Sequence, residues 1–185
     1  MNRKITDASK FLSYVLRHQP DAIGIMLDLE GWTDIAALIN CAANAGKQLD
    51  PNLIQIIVAT SDKKRFAISE DGLRIRAVQG HSSDSVSINY DEKVPPKVLF
   101  HGTAIQFLNS ILKVGLLSGA RQYVHMSQNI QTATDVGQRH GASVVLTIAA
   151  DAMYHQGFKF HQADNGVWLI NQVPPQFLAL TSSIK

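Results

Sequence analysis

The stretch 82–96 limits the folds open to this chain more than any other feature. It is polar, carries Asp84, Asp91 and Glu92, and closes on Pro95-Pro96. Each proline fixes φ and removes a backbone donor, so two in succession interrupt helices and ladders alike. The stretch reads as a linker. The hydrophobic pattern changes across it, which predicts two lobes, 1–92 and 93–185, each with a modest core of its own.

On the N-terminal side, Thr6 or Asp7 can cap a first helix running to His18. Phe11, Leu12, Val15 and Leu16 recur at helical spacing, and Pro20 is the stop. Gly31-Trp32-Thr33-Asp34 reads as a turn and cap for a second helix through Ile35, Leu38 and Ile39, closed by Gly46. Asp50-Pro51 sets a capping carboxylate before proline at the first helical position, predicting a third helix to Thr60. The runs 65–69 and 73–78, joined by Glu70-Asp71-Gly72, read as a β-hairpin. Three helices followed by a hairpin is the order of a winged helix.

After the linker, Val98-Leu99-Phe100 predicts a buried strand that stops at His101-Gly102-Thr103. An amphipathic helix follows through Ile105, Leu108, Ile111 and Leu112, capped by Gly115. Strands are expected at 123–127, 143–148, 166–170 and 177–180, and a helix over 130–140. The fold class is α+β.

Composition narrows the function classes. Of 185 residues, 45% are hydrophobic and 17% charged, a globular balance. The apolar runs are short, such as 53–59 with Gln55 inside it, far from the ~20 residues a membrane-spanning helix needs. Met1-Asn2-Arg3-Lys4 leads into a polar segment, and the single cysteine, Cys41, can form no internal disulfide. A cytoplasmic, monomeric protein is the expectation. The net charge of +2 announces no nucleic-acid binding, so any RNA contact must come from a local cluster. No metal is expected, because the histidines do not fall at ligand spacing. No glycine-rich phosphate loop is present.

Four constellations can carry chemistry. Arg17-His18 ends the first helix, off its apolar stripe, as a cation cap or as functional groups. Lys63-Lys64-Arg65 stands at the mouth of the hairpin, with Arg74, Arg76, Gln79 and His81 after it. These residues suit either a phosphate dianion or a charged sheet edge. His101-Gly102-Thr103 places a glycine where backbone can approach a ligand. Alternation puts Arg121, Tyr123, His125 and Ser127 on one strand face and Val124 and Met126 on the other, either lining a cleft or facing solvent.

Taken in order over 9–180, these motifs resemble the RNA 2′-phosphotransferase family. The family's Leu-Arg-His is Leu16-Arg17-His18, and its Gly-Trp is Gly31-Trp32. Its basic hairpin motif is Asp62-Lys63-Lys64-Arg65-Phe66, and its Ile-Arg-Ala-x-Gln-Gly-His-Ser runs from Ile75 to Ser82. His-Gly-Thr is 101–103, Arg-x-His-Val-His-x-Ser is 121–127, and Asn-Gly-Val-Trp-Leu is 165–169. Tyr123 departs from the histidine often found there.

The resemblance implies a winged-helix RNA lobe and an ADP-ribosyltransferase-like lobe that holds NAD⁺ as co-substrate. It implies RNA bearing an internal 2′-phosphate as the partner and a place in tRNA splicing. The implied reaction has two steps, giving 2′-OH RNA, nicotinamide and ADP-ribose 1″,2″-cyclic phosphate. By similarity Arg17, His18, Arg65 and Arg121 are catalytic. His101, Gly102, Thr103, His125, Ser127 and Arg139 are assigned to NAD⁺, and Lys63, Gln79 and His81 to the RNA side. An ADP-ribosyltransferase that leaves ADP-ribose on its target, and a winged-helix binding protein without turnover, are the rival readings.

Overall fold

In the computed structural model, which describes residues 3–61, 63–83 and 85–181, the first helix begins before its expected cap. Helix α1 spans Arg3–Arg17, so Thr6 and Asp7 lie inside it. The apolar spacing extends backward through Ile5 and Ala8, which pack on the same core as Phe11, and Arg3 pairs with Asp7 one turn on. The helix therefore has reason to start early. Its last turn ends just before a 3₁₀ turn, Pro20–Ala22.

The next two helices follow their caps. Asp34 accepts from Ala37 N–H to start α2 (Ile35–Asn44), and Asp50 accepts from Leu53 N–H to start α3 (Pro51–Thr60). The hairpin forms from β2 (Phe66–Ile68) and β3 (Arg74–Ala77), pairing Phe66 with Ala77 and Ile68 with Ile75. A third strand, β1 (Thr33–Asp34), lies on the other side of β3, opposite Ile75 and Arg74. Leu12, Leu16, Leu38, Ile54, Ile57, Phe66 and Ile75 close the core of this unit.

The chain divides into two compact units, Met1–Asn89 and Tyr90–Lys185. Tyr90, Asp91 and Glu92, assigned from sequence to the first lobe, fall in the second. There the Tyr90 carbonyl accepts from His161 Nδ1 at 2.8 Å and Glu92 bridges His161. The polar stretch is also no slack linker. Val86 and Ile88 are buried, and the backbone N–H of Ser87 donates to Leu29 O at 2.7 Å. Lys93 N–H donates to Phe160 O at 2.8 Å. Two apolar residues alternating in a polar run are enough to fasten it.

In the second unit the longest ladder pairs β4 (Leu99–Ala104) with β7 (Ser143–Ile148), and β11 (Leu178–Leu180) flanks β7. The first strand does not stop at His101. It runs on through Ala104 because Leu146, Val145, Val144 and Ser143 pair with His101 to Ala104. A second sheet orders β6 (Val124–Met126), β9 (Trp168–Ile170) and β8 (His161–Gln162), and two short strands, β5 (Leu116–Leu117) and β10 (Gln172–Val173), pair separately. Helices α4 (Ile105–Val114), α5 (Ile130–Gly137) and α6 (Ala150–His155) complete the unit. Leu108 and Ile111 of α4 turn to the core, whereas Ile105 and Leu112 are exposed.

Candidate active site

In the first unit, the end of α1 is held by the segment that follows β3. Ser82 N–H donates to the Arg17 carbonyl at 2.9 Å, and the Ser82 hydroxyl lies 2.9 Å from His18 Nδ1. The Arg17 guanidinium donates through Nη2 to the Arg65 carbonyl at 3.3 Å and stands 6.0 Å from the Phe66 ring centre. Arg65 in turn donates through Nη1 to the Ser61 hydroxyl at 3.3 Å. Arg17, His18 and Arg65, far apart in sequence, are thereby tied into one cluster. Lys64, between two of the functional candidates, has φ of 39°, left-handed backbone that costs a non-glycine residue ~1–2 kcal/mol. Asp62 of the same motif lies outside the described residues.

A cleft of about 420 Å³ opens beside this cluster, between α1 and α3. His18, Lys63 and Arg65 line it, with the hydroxyls of Ser9, Ser13 and Ser61 and the apolar side chains of Ile5 and Ile57. Among the described residues no carboxylate lines it. Cations and hydroxyls together suit an oxyanion such as a phosphate.

His81 sits behind the cluster and not in the cleft. It is 2% exposed, and its pKa is lowered to about 4, by burial first and then by Arg17, His18 and Arg76. It is a buried, neutral ring beside Arg17 and Arg76. Gln79 is half-buried and does not line the cleft. Arg74 and Arg76 turn elsewhere. Their guanidinium carbons lie 5.6 and 4.7 Å from the Trp32 ring centre, and they pair with Asp28 at 3.8 Å and Glu30 at 3.3 Å. Carboxylate partners and an aromatic face hold both guanidiniums beside Trp32.

The second unit gathers its own group. Phe100 and Ser127 exchange backbone hydrogen bonds at 2.8 and 2.9 Å, fastening β4 to the end of β6. That contact puts His101 against His125, whose carbonyl lies 2.9 Å from His101 Nδ1. Burial lowers the His101 pKa, the His125 carbonyl works against that, and the Arg121 charge adds to it, so Arg121 is a close neighbour. The Arg121 pKa also lies below the usual arginine value, from desolvation first and then from Arg139. The two guanidiniums are near enough for the Arg139 charge to act on Arg121.

Family membership comes from sequence comparison. The sequence profile described as RNA 2′-phosphotransferase, Tpt1 / KptA family, matches residues 2–172. The chain belongs to the RNA 2′-phosphotransferase family. It is 59% identical over 178 residues to a probable RNA 2′-phosphotransferase of Pectobacterium atrosepticum, covering 96% of this chain and 99% of that one. A protein of the same description from Pseudomonas fluorescens is 58% identical over 179 residues, covering 96% and 98%. One from Escherichia coli K12 is 56% identical over 176 residues, covering 95% and 96%.

Within this family frame, the glycine of His-Gly-Thr has a packing reason of its own. A Cβ on Gly102 would fall 1.7 Å from the Ala133 carbonyl oxygen, because α5 lies directly on β4. Gly137 makes the same approach from the helix side, where a Cβ would stand 3.0 Å from Thr103 N. Where a Cβ would point, Gly102 therefore meets the helix. The Ser127 hydroxyl accepts from Asn129 N–H at 3.0 Å, and Asn129 caps α5 through Thr132 N–H at 2.9 Å. Thr103 is half-buried on β4, and Arg139 is exposed just after α5. Sequence reasoning missed Ser82 and Ser61 as partners of His18 and Arg65. Ser82 closes the Gln-Gly-His-Ser motif, so its place there was the available signal.

Proposed function

We propose that this chain is an NAD⁺-dependent RNA 2′-phosphotransferase. The observation that carries the reading is the cluster of Arg17, His18 and Arg65 opening on a cleft without a described carboxylate, in a member of this family. On this reading the first unit is a winged-helix RNA lobe, in keeping with its strand order β1-β3-β2 behind three helices. The second is an ADP-ribosyltransferase-like NAD⁺ lobe.

In the first step an oxygen of the RNA 2′-phosphate bonds to C1″ of the nicotinamide ribose as the C1″–N bond breaks. The electron pair leaves with nicotinamide, which departs neutral, so no general acid is required. The harder task is to strip water from a dianion and aim it. Arg17, Arg65 and Lys63 are suited to this by charge-assisted bonds, and the Arg17 to Arg65 tie limits how far the two guanidiniums can drift. In the second step the 2″-hydroxyl attacks phosphorus, the bond to the RNA 2′-oxygen breaks, and a proton passes overall from 2″-OH to the 2′-oxygen. His18, its Nδ1 held by Ser82, is the group suited to carry that proton. Arg121 is suited to the charge that builds on the phosphorus oxygens.

His101 fits a cofactor-side role as a neutral ring, and the Arg121 and Arg139 pair fits a pyrophosphate. The deciding assay is nicotinamide release from NAD⁺ with and without RNA carrying an internal 2′-phosphate. Release that depends on the 2′-phosphate and ends in 2′-OH RNA supports the proposal. Release that leaves ADP-ribose on the RNA or on protein supports transfer alone, and no release supports a binding protein.

A further inference from the structure

The cleft extends well past the groups that the reaction uses. Thr6, Lys10, Tyr14 and His18 recur every four residues, so they form one file along a single face of α1 and beyond its end, and all four line the cleft. Lys10 is two turns before His18, ~12 Å along the helix axis, too far to share one phosphate with it. Lys10 is exposed and makes no ion pair among the described residues. Tyr14 is 49% exposed, next in the file before His18, although α1 has a core face on which an aromatic ring could be buried. An unpaired ammonium and an uncovered ring, in line with the cluster suited to the 2′-phosphate, match a phosphodiester and a base or ribose in sequence along one strand.

We propose that Lys10 and Tyr14 form a track for the nucleotide next to the 2′-phosphorylated residue, with Tyr14 stacking on its base or ribose and Lys10 bonding its phosphodiester. The proposal rests on the RNA 2′-phosphotransferase reading for the identity of its ligand. Its consequence is that the enzyme senses chain on one side of the modified nucleotide without reading sequence, since stacking accepts any base.

The test compares a nucleoside 2′-phosphate, which has no neighbouring nucleotide, with an oligonucleotide that carries the same 2′-phosphate internally and is long enough to fill the cleft. Binding is read by fluorescence anisotropy without NAD⁺, and turnover by nicotinamide release with it. The wild type should bind the oligonucleotide more tightly than the nucleoside 2′-phosphate. Tyr14→Ala should weaken oligonucleotide binding by between about fivefold and a hundredfold, and Tyr14→Phe should restore it. Lys10→Ala should lower the slope of log K against log salt by about 0.7, the share of one single-strand phosphate contact. Both residues are exposed, so unaltered thermal melts should accompany these changes. Equal binding of the two ligands by the wild type, or Tyr14→Ala and Lys10→Ala chains that keep the wild-type preference, would overturn the track. The anisotropy result stands even if no nicotinamide is released, so loss of the NAD⁺ reading and loss of the track are separate outcomes.

Discussion

His18 and Ser82 are 64 residues apart in sequence, yet His18 Nδ1 and the Ser82 hydroxyl lie 2.9 Å from each other. The same serine fixes the backbone of the preceding residue, through its N–H to the Arg17 carbonyl. One residue thus holds both the ring and the end of the helix that carries it. Ser82→Ala removes the side-chain contact and keeps the backbone one. A lost hydrogen bond of ~0.5–1.5 kcal/mol should lower kcat by roughly two- to tenfold. Ser82→Thr should restore most of it. A melting temperature that falls while kcat holds would mark the contact as merely structural.

His81 makes the stability of the first unit depend on pH. Its folded pKa of about 4 lies below the ordinary 6.5, so the unfolded chain takes up a proton first as pH falls. The stability it contributes is full above pH 6.5 and is lost progressively as pH drops through 4. At 1.36 kcal/mol per tenfold, about 3 kcal/mol is at stake. Urea unfolding of the wild type should show a midpoint that declines from pH 7 to pH 4.5, and His81→Gln should flatten most of that decline. The His101 pKa moves in the same direction, so a residual slope belongs to the second unit. A wild-type midpoint independent of pH would contradict this account.

Gly102→Ala should be among the most damaging single changes in the second unit. The new methyl would sit 1.7 Å from the Ala133 carbonyl oxygen, a backbone atom that no rotamer change can move. Overpacking against backbone costs ~3 kcal/mol or more, which for a chain of this size lowers the melting temperature by roughly 6–12 °C. Differential scanning calorimetry checks it. A drop of a degree or less would mean that α5 shifts freely on β4.

On the proposed reaction, Arg65→Ala removes a guanidinium that holds the RNA phosphate. Its loss should cost ~2–5 kcal/mol in the first step. RNA-dependent nicotinamide release should fall at least thirtyfold, while NAD⁺ binding measured by calorimetry changes little. Near wild-type release from 2′-phosphorylated RNA would remove Arg65 from the site.

Much of the fold was legible because local signals and tertiary packing agree. Asp34 and Asp50 cap the helices their sequence context predicts, and β7 spans 143–148 as its apolar run suggests. What escaped depends on partners distant in sequence. Thr33 and Asp34 read as a turn and cap, but Ile75 and Arg74 recruit them as a two-residue strand. Val86 and Ile88 lie in the stretch that reads as a linker, and only the folded unit shows them buried. Nothing local announces the helix that lies on Gly102. For the site, motifs named Arg17, His18 and Arg65, but spacing alone could not distinguish Arg65 from Arg74 and Arg76. The difference is made by Glu30, Asp28 and Trp32, which claim the latter two.

Arg121 should separate the two chemical steps. It stands in the second unit, near enough to His101 and Arg139 for their charges and ring to affect one another. Its guanidinium is partly desolvated and shares its surroundings with a second cation, which makes it a strong donor to an incoming anion. On the proposed reaction, step one turns a phosphate monoester into a diester, which carries one negative charge fewer. Step two then drives that diester through a crowded phosphorus centre on which charge rises again. An arginine on the cofactor side matters most where charge grows on phosphorus beside the ribose. Arg121→Ala should therefore slow step two by ~10²–10³ and step one by less. Under excess NAD⁺, RNA bearing a 2′-phospho-ADP-ribose adduct should accumulate as a slower band on a denaturing gel, ahead of any 2′-OH product. If the variant slows overall and no adduct is seen at any time, Arg121 serves both steps equally and this division of labour is wrong.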